Sequence, residues 1–110
     1  MLKSFRFPSR VSYAIVASRG KRFSFGFLNL KALPAPDSQT RFCFVVKKKN
    51  GSAVFRNRCR RVLRHILFKA AKNFKEPLWI MATINMNKAN ADWKALRENA
   101  NSSEISLKQL

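Results

Sequence analysis

Side chains able to do chemistry are unevenly supplied in this sequence, and most of them are cations. Of 110 residues, 23 are Lys or Arg, five are Asp or Glu, and one is His. The acids (Asp37, Glu76, Asp92, Glu98 and Glu104) are scattered, and His65 is the single imidazole. General acid–base pairs, nucleophile triads and two-metal centres all require several such groups to converge. This inventory does not offer them, and His65 reads as a helix-face residue rather than a base. Gly20, Gly26 and Gly51 are isolated, so there is no glycine-rich loop to cradle a phosphate. Cys43 and Cys59 lack CxxC spacing and further zinc ligands, and both read as core thiols. The chemistry left is the binding of anions.

That chemistry concentrates between Asp37 and Glu76, where twelve Lys or Arg residues occur without one acid. The densest run is Lys47-Lys48-Lys49-Asn50-Gly51-Ser52-Ala53-Val54-Phe55-Arg56-Asn57-Arg58-Cys59-Arg60-Arg61-Val62-Leu63-Arg64. A solvated helix face normally mixes signs, because like charges at i,i+4, such as Arg56, Arg60 and Arg64, repel. An acid-free face is the electrostatic footprint of a polyanion partner. Lys offers a compact charge to a phosphate, whereas Arg can fork two hydrogen bonds.

The elements that must position these cations follow from punctuation and periodicity. Gly51 ends a strand through its backbone freedom, and Ser52 can accept a first-turn N–H and cap a helix. Phe55, Cys59, Val62, Leu63, Ile66 and Ala70 then make one apolar stripe. Asn57, Arg60, Arg61 and Arg64 fall opposite it, with Arg56 and Arg58 flanking. The helix extends to about Asn73, and Pro77 excludes it further on. Before it, Arg41–Val46 reads as a central strand, apolar on both faces. After it, Leu78–Thr83 reads as a buried strand, and the strand–helix–strand order makes the two parallel neighbours.

Upstream, Leu2–Pro8 reads as an extended leader. Ser9 can cap a short helix ending at Gly20, with Val11, Ala14, Ile15 and Ser18 inward and Tyr13 offset. Lys21–Leu30 reads as one strand with Phe23, Phe25 and Phe27 on its buried face and a bulge or twist near Gly26. Leu33–Ser38 is a loop. Downstream, Asn85–Asn90 is a loop and Ala91–Asn101 a short helix with Trp93, Leu96 and Ala100 inward. The weakly patterned segment 102–110 is expected to fray.

Residues 1–110 are thus expected to form a single α+β domain, with 1–8 a mobile leader. Its hydrophobic content of 46% supports a real core. A formal net charge of +18 predicts a nucleic-acid or other polyanion partner. Membrane-surface binding by a basic amphipathic helix is the competing use of such charge. No apolar run approaches the ~18 residues of a membrane-spanning helix, and Met1–Arg10 lacks the apolar core of a signal peptide. A cytoplasmic location is expected.

The basic run also resembles the signature of bacterial ribonuclease P protein subunits: a strand ending in Lys-Lys, then Gly-x-Ala-Val-x-Arg-Asn-Arg and a basic helix. Lys48-Lys49, Gly51, Ala53-Val54, Arg56-Asn57-Arg58, Arg60-Arg61 and Arg64 carry the match in order and without gaps. Lys47 and His65 depart from it. The resemblance implies an α-β-sandwich in the order α-β-β-β-α-β-α, with a mixed four-stranded sheet, a small first strand and a left-handed β-α-β crossover. It implies a non-catalytic protein subunit of a ribonucleoprotein endonuclease that removes the 5′ leader of precursor tRNA. Mg2+ would be held mainly by the catalytic RNA, and protein oligomers would not be required. Lys48, Lys49, Arg56, Asn57, Arg58, Arg60, Arg61 and Arg64 would then bind RNA, while Tyr13 and Leu28 would line the leader cleft. Ala17 stands where the family carries a second ring. A ribosomal-type RNA-binding protein or RNA chaperone would share charge and build, and a protein-only nuclease would need Asp92 or Glu98.

Overall fold

A computed structural model describes residues 6–110. The chain alternates short helices with strands whose buried side chains recur at every second position. In order these are α1 (Arg10–Arg19), β1 (Lys21–Phe25), β2 (Leu28–Pro34), β3 (Arg41–Val46), α2 (Ala53–Ala70), β4 (Leu78–Ile84) and α3 (Trp93–Lys108). The sheet order is β1-β2-β4-β3. β1 and β2 are antiparallel, as are β2 and β4, whereas β3 and β4 run parallel. The parallel β3–α2–β4 unit expected from the sequence is present, inside a mixed four-stranded α+β arrangement.

The two faces of the sheet differ in chemistry. Leu28, Leu30, Phe42, Val46, Ile80 and Ile84 project to one face and form the main core with Phe55, Cys59, Leu63 and Leu67 of α2 and Leu96 and Leu107 of α3. The opposite face is apolar only at one end, where Val16 of α1, Phe7 and Trp79 pack together with Leu33, Cys43 and Met81 around them.

Five expectations change. Lys21–Leu30 is not one strand: Phe25 pairs with Leu28, so Gly26-Phe27 is a two-residue hairpin turn. Gly26 has φ of 56°, the left-handed value that a turn of this length needs at its first position. The apolar residues on both sides of the turn had hidden the break. β3 is an edge strand rather than a central one, and β4 takes the central place. β3 is apolar on both faces because α2 covers one and the Phe7–Val16–Trp79 cluster reaches the other.

In α1 the buried residues are Ser12 and Val16, while Val11 is 65% exposed. Ala and Ser occupy most sides of this ten-residue helix, so its sequence left the facing undetermined. The last helix runs to Lys108 instead of fraying after Asn101. Leu96, Ala100, Ser103 and Leu107 are buried at helical spacing, and Ser103 Oγ donates to the Ala100 carbonyl at 2.6 Å. Of the leader expected over 1–8, residues 1–5 lie outside the described residues. Arg6 makes a parallel bridge to Phe42 on the outer edge of β3, and Phe7 is buried with its ring 5.6 Å from Trp79.

Candidate nucleic-acid interface

The basic helix is aimed by a short connection pinned at several points. Lys48–Asn50 form one tight helical turn after β3. The Asn50 side chain donates to the Ile84 carbonyl (3.4 Å), and its own carbonyl accepts from Lys88 N–H (2.9 Å). Ser52 caps α2 as expected, its hydroxyl accepting from Phe55 N–H at 3.3 Å. Gly51 serves differently from the expectation. Its φ of 167° and ψ of −179° are extended and open to any residue, but a Cβ there would lie 2.5 Å from the Phe55 ring. The glycine lets Phe55 pack beneath the connection, and so brings Lys47–Lys49 up against the first turn of α2.

Along α2, Phe55, Cys59, Leu63, Leu67 and Ala70 are buried, with Val62 and Ile66 half-buried. Asn57, Arg58 and Arg61 are exposed, while Arg56, Arg60 and Arg64 are partly covered along their stems. Arg56 Nε donates to the Gly51 carbonyl (3.3 Å), and Arg60 Nη1 donates to Asn57 Oδ1 (3.0 Å). The Arg58 guanidinium lies 4.0 Å from the centroid of the Trp93 ring, which itself packs 5.5 Å from Phe55. These contacts hold three arginines in place without cancelling their charge. Among the described residues the ion pairs are Arg41–Asp37 and Lys108–Glu104, and neither involves this helix.

Tyr13 lies beside the same surface. It is 42% exposed and helps line a hollow of about 570 Å³ at the outer edge of β3, with Cys43, Phe44, Phe68, Arg60 and Arg64. The Phe7 ring backs it at 5.1 Å. Burial pushes the Tyr13 hydroxyl upward from its ordinary pKa, helped by the Cys43 thiol that shares a hydrogen bond with it and opposed by Arg6. Burial also raises Cys43, against the pull of Tyr13 and Arg60. Both groups therefore stay protonated at neutral pH, and the charge of the hollow is that of Arg6, Arg60 and Arg64. Leu28, by contrast, is 0% exposed within the main core and offers no surface to a ligand. Ala17 is exposed on α1, where its carbonyl accepts from Lys31 Nζ at 2.9 Å.

The fold adds residues that the sequence reading missed. Arg22, Ser24, Asn29, Lys31 and Thr83 share the polar end of the second sheet face, near Lys47 and Asn85. Their signal was the strict alternation of Arg22 and Ser24 with Phe23 and Phe25, and of Asn29 and Lys31 with Leu28 and Leu30. Arg97 of α3 joins Arg61 and His65 across the groove between the two helices, a neighbour that only tertiary packing reveals.

Three of the five acids are engaged elsewhere. Asp92 caps α3, accepting from Ala95 N–H at 3.0 Å, and Glu104 pairs with Lys108. Asp37 accepts from Arg41 Nε (2.6 Å), Trp79 Nε1 (2.9 Å) and Gln39 N–H (3.2 Å). Among the described residues no three of His, Cys, Asp or Glu come together as a metal site would require. The arrangement can bind and orient a polyanion.

Known proteins share sequence and fold with this chain. Two curated relatives are ribonuclease P protein components. That of Clavibacter michiganensis is 42% identical over 62 residues, covering 56% of this chain and 55% of the relative. That of Gluconacetobacter diazotrophicus is 44% identical over 63 residues, covering 56% and 54%. The aligned part of the chain thus spans about half the length of the curated relatives it matches. The fold is shared with the ribonuclease P protein from Thermotoga maritima (TM-score 0.74, 21% identity, 96% of each chain covered). It is also shared with that from Staphylococcus aureus (TM-score 0.78, 17% identity, 93% and 94% covered). The family model for ribonuclease P matches residues 1–106, and the chain belongs to the ribonuclease P protein family.

Proposed function

We propose that this protein is the RNA-binding subunit of ribonuclease P, promoting removal of the 5′ leader from precursor tRNA. The observation that carries the reading is the basic face of α2. Arg56, Asn57, Arg58, Arg60, Arg61 and Arg64 emerge from a capped helix free of ion pairs among the described residues, beside Lys48 and Lys49. That face supplies phosphate contacts for a folded RNA. The Tyr13 hollow opens from it through Arg60 and Arg64, and its volume of about 570 Å³ and its rings suit an unpaired strand, the proposed leader.

Phosphodiester hydrolysis in this reading belongs to the RNA partner. Mg2+ favours carboxylate and phosphate oxygens. The described carboxylates are dispersed and three of the five are tied into a cap or ion pairs. The protein's donor set therefore does not fit a Mg2+ site of its own, and the protein's part is to bind and orient. One copy per RNA suffices. No described helix is long and apolar enough to cross a membrane, and the proposed place of action is the cytoplasm.

The test is cleavage of precursor tRNA by a bacterial ribonuclease P RNA at low Mg2+, with wild-type protein and with Arg56→Ala/Arg61→Ala. Arg58 is left intact because it also packs on Trp93. Stimulation by wild type and its loss in the variant is the expected result. Tight RNA binding without stimulation of any bacterial ribonuclease P RNA would move the assignment to a ribosomal-type RNA-binding protein or RNA chaperone.

A further inference from the structure

The basic face of α2 does not stop at Arg64. Arg61, Arg64, His65, Phe68, Lys69 and Lys72 recur at three- and four-residue spacing, which places them on one side of the helix and its final turn. They border a second hollow of about 680 Å³, closed by Thr40 and Ala71. That is the size of a small-ligand site. Phe68 and Arg64 stand between it and the Tyr13 hollow and line both. The Phe68 ring is braced from the sheet by Phe42 (5.3 Å) and Phe44 (6.2 Å), so the ridge between the two hollows is packed from below.

The chemistry of this hollow is specific. Its rim carries Arg61, Arg64, Lys69 and Lys72, and no acid lines it. Cations in the last turn of a helix complement the helix dipole, which explains Lys69 and Lys72 on their own. It does not explain Arg61 and Arg64, which lie one to three turns earlier, nor an aromatic ring within the basin. An apolar floor under a cationic rim suits a planar apolar group that carries negative charge at its edge. A nucleotide has that form, with its base against Phe68 and Ala71 and its phosphates at the rim.

We infer that the hollow bounded by Thr40, Arg61, His65, Phe68, Lys69 and Lys72 holds an unpaired nucleotide of the bound RNA. It is a second single-strand site, separated from the Tyr13 hollow by the Arg64–Phe68 ridge. The inference rests on the RNA-binding reading and deepens it. From Arg61 to Lys72 the helical rise spans about 16 Å, so the strand tracks the C-terminal half of α2 as well as its first turns. The Phe68 ring beside the cations favours RNA over an acidic peptide, because a base can stack on it while its phosphate meets the rim.

The test uses the labelled full chain, titrated with the single-stranded RNA pentamer pentaadenylate and followed by NMR. His65, the sole histidine, and the amide of Thr40 report on this hollow, while the amides of Tyr13 and Cys43 report on the other. Saturable shifts at His65 and Thr40 are expected. Lys69→Gln/Lys72→Gln should weaken binding about 25-fold at 0.1 M salt, from two phosphate contacts at ~0.7 each in the single-strand salt exponent. The charge-matched control Lys21→Gln/Lys94→Gln should weaken it much less. An abasic pentamer should bind about 30-fold more weakly or worse, through stacking lost in both hollows at ~1 kcal/mol or more per base.

Shifts confined to Tyr13 and Cys43 would overturn the second site and leave the proposed function standing. Equal losses in the two double variants would overturn it in favour of a diffuse field. Hexaglutamate producing the same shifts at lower concentration than the pentamer would reassign the hollow to an acidic peptide. Absence of any shift would also overturn it, and would overturn the RNA-binding reading only if full ribonuclease P RNA failed to bind as well.

Discussion

The salt dependence of RNA binding follows from how the cations are held. Lys47, Lys48, Lys49, Arg61 and Arg64 make no ion pair among the described residues, and Arg56, Arg58 and Arg60 are positioned by contacts that leave their charge intact. Between five and eight phosphates are therefore within the reach of this surface. At a slope of ~0.9 per neutralised phosphate, a fourfold rise in salt from 50 to 200 mM weakens binding by about 500-fold for five contacts and about 20,000-fold for eight. Replacing Arg61 or Arg64 by Gln should flatten the log–log slope by ~0.9 each. Fluorescence anisotropy with a labelled bacterial ribonuclease P RNA, across that salt range, reads both quantities. A wild-type slope shallower than about −2, or an unchanged slope in both Gln variants, would refute the view that this face contacts the phosphate backbone.

Three further expectations concern the elements that aim the site. Gly51→Ala should destabilise the fold by about 1–3 kcal/mol in chemical denaturation, because its Cβ would overlap the packed Phe55 ring; an unchanged midpoint would show that Phe55 can move aside freely. Asp37 is raised by partial burial but held below its ordinary value of 3.8 by Arg41, Trp79 and Gln39, so its pKa is lowered on folding. Its stabilising effect should be full above about pH 4 and fade as the pH falls further, since the unfolded chain takes up the proton first; urea midpoints for wild type and Asp37→Asn should therefore converge toward acid. Asp92→Ala should cost about 1 kcal/mol through the lost α3 cap while ribonuclease P stimulation persists at permissive temperature; abolished cleavage with an intact fold would reinstate a catalytic carboxylate.

The sequence disclosed most where a single chemical requirement acted locally. Ser52 announced the start of α2 because only a few side chains can accept its first-turn N–H groups, and the buried stripe from Phe55 to Ala70 followed from helical spacing alone. The basic face was legible because repulsion within α2 needs an external compensation, so the absence of acids was itself a signal. Other features were hidden because two arrangements produce the same pattern. A strand apolar on both faces can be central, or can lie at an edge with a helix on one face and an apolar cluster on the other, as β3 does. Gly26-Phe27 interrupts an apolar run without a polar residue, so a hairpin looked like a continuous strand. The family resemblance points Leu28 to the leader cleft, but its pairing with Phe25 and Ile84 turns it into the main core. The cationic hollow beyond Arg64 escaped for a further reason: its one aromatic wall, Phe68, is held in place by Phe42 and Phe44, which are distant from it in sequence.

The division of labour on α2 explains why so charged a helix can fold and still serve as a surface. Its buried stripe contributes Phe55, Cys59, Leu63 and Leu67 to a core shared with β2, β4 and α3, and that burial outweighs repulsion worth only a few tenths of a kcal/mol per i,i+4 pair. The price is a native state that still carries its unbalanced charge into solution. A polyanion that binds the folded chain removes that repulsion, so RNA binding and folding stability are linked in one direction. Arg58 shows the same economy at one residue, its guanidinium holding Trp93 on the core side while remaining exposed. A lysine there would keep the charge but lose the planar stack, which is why the motif's chemistry is that of arginine and not of positive charge alone.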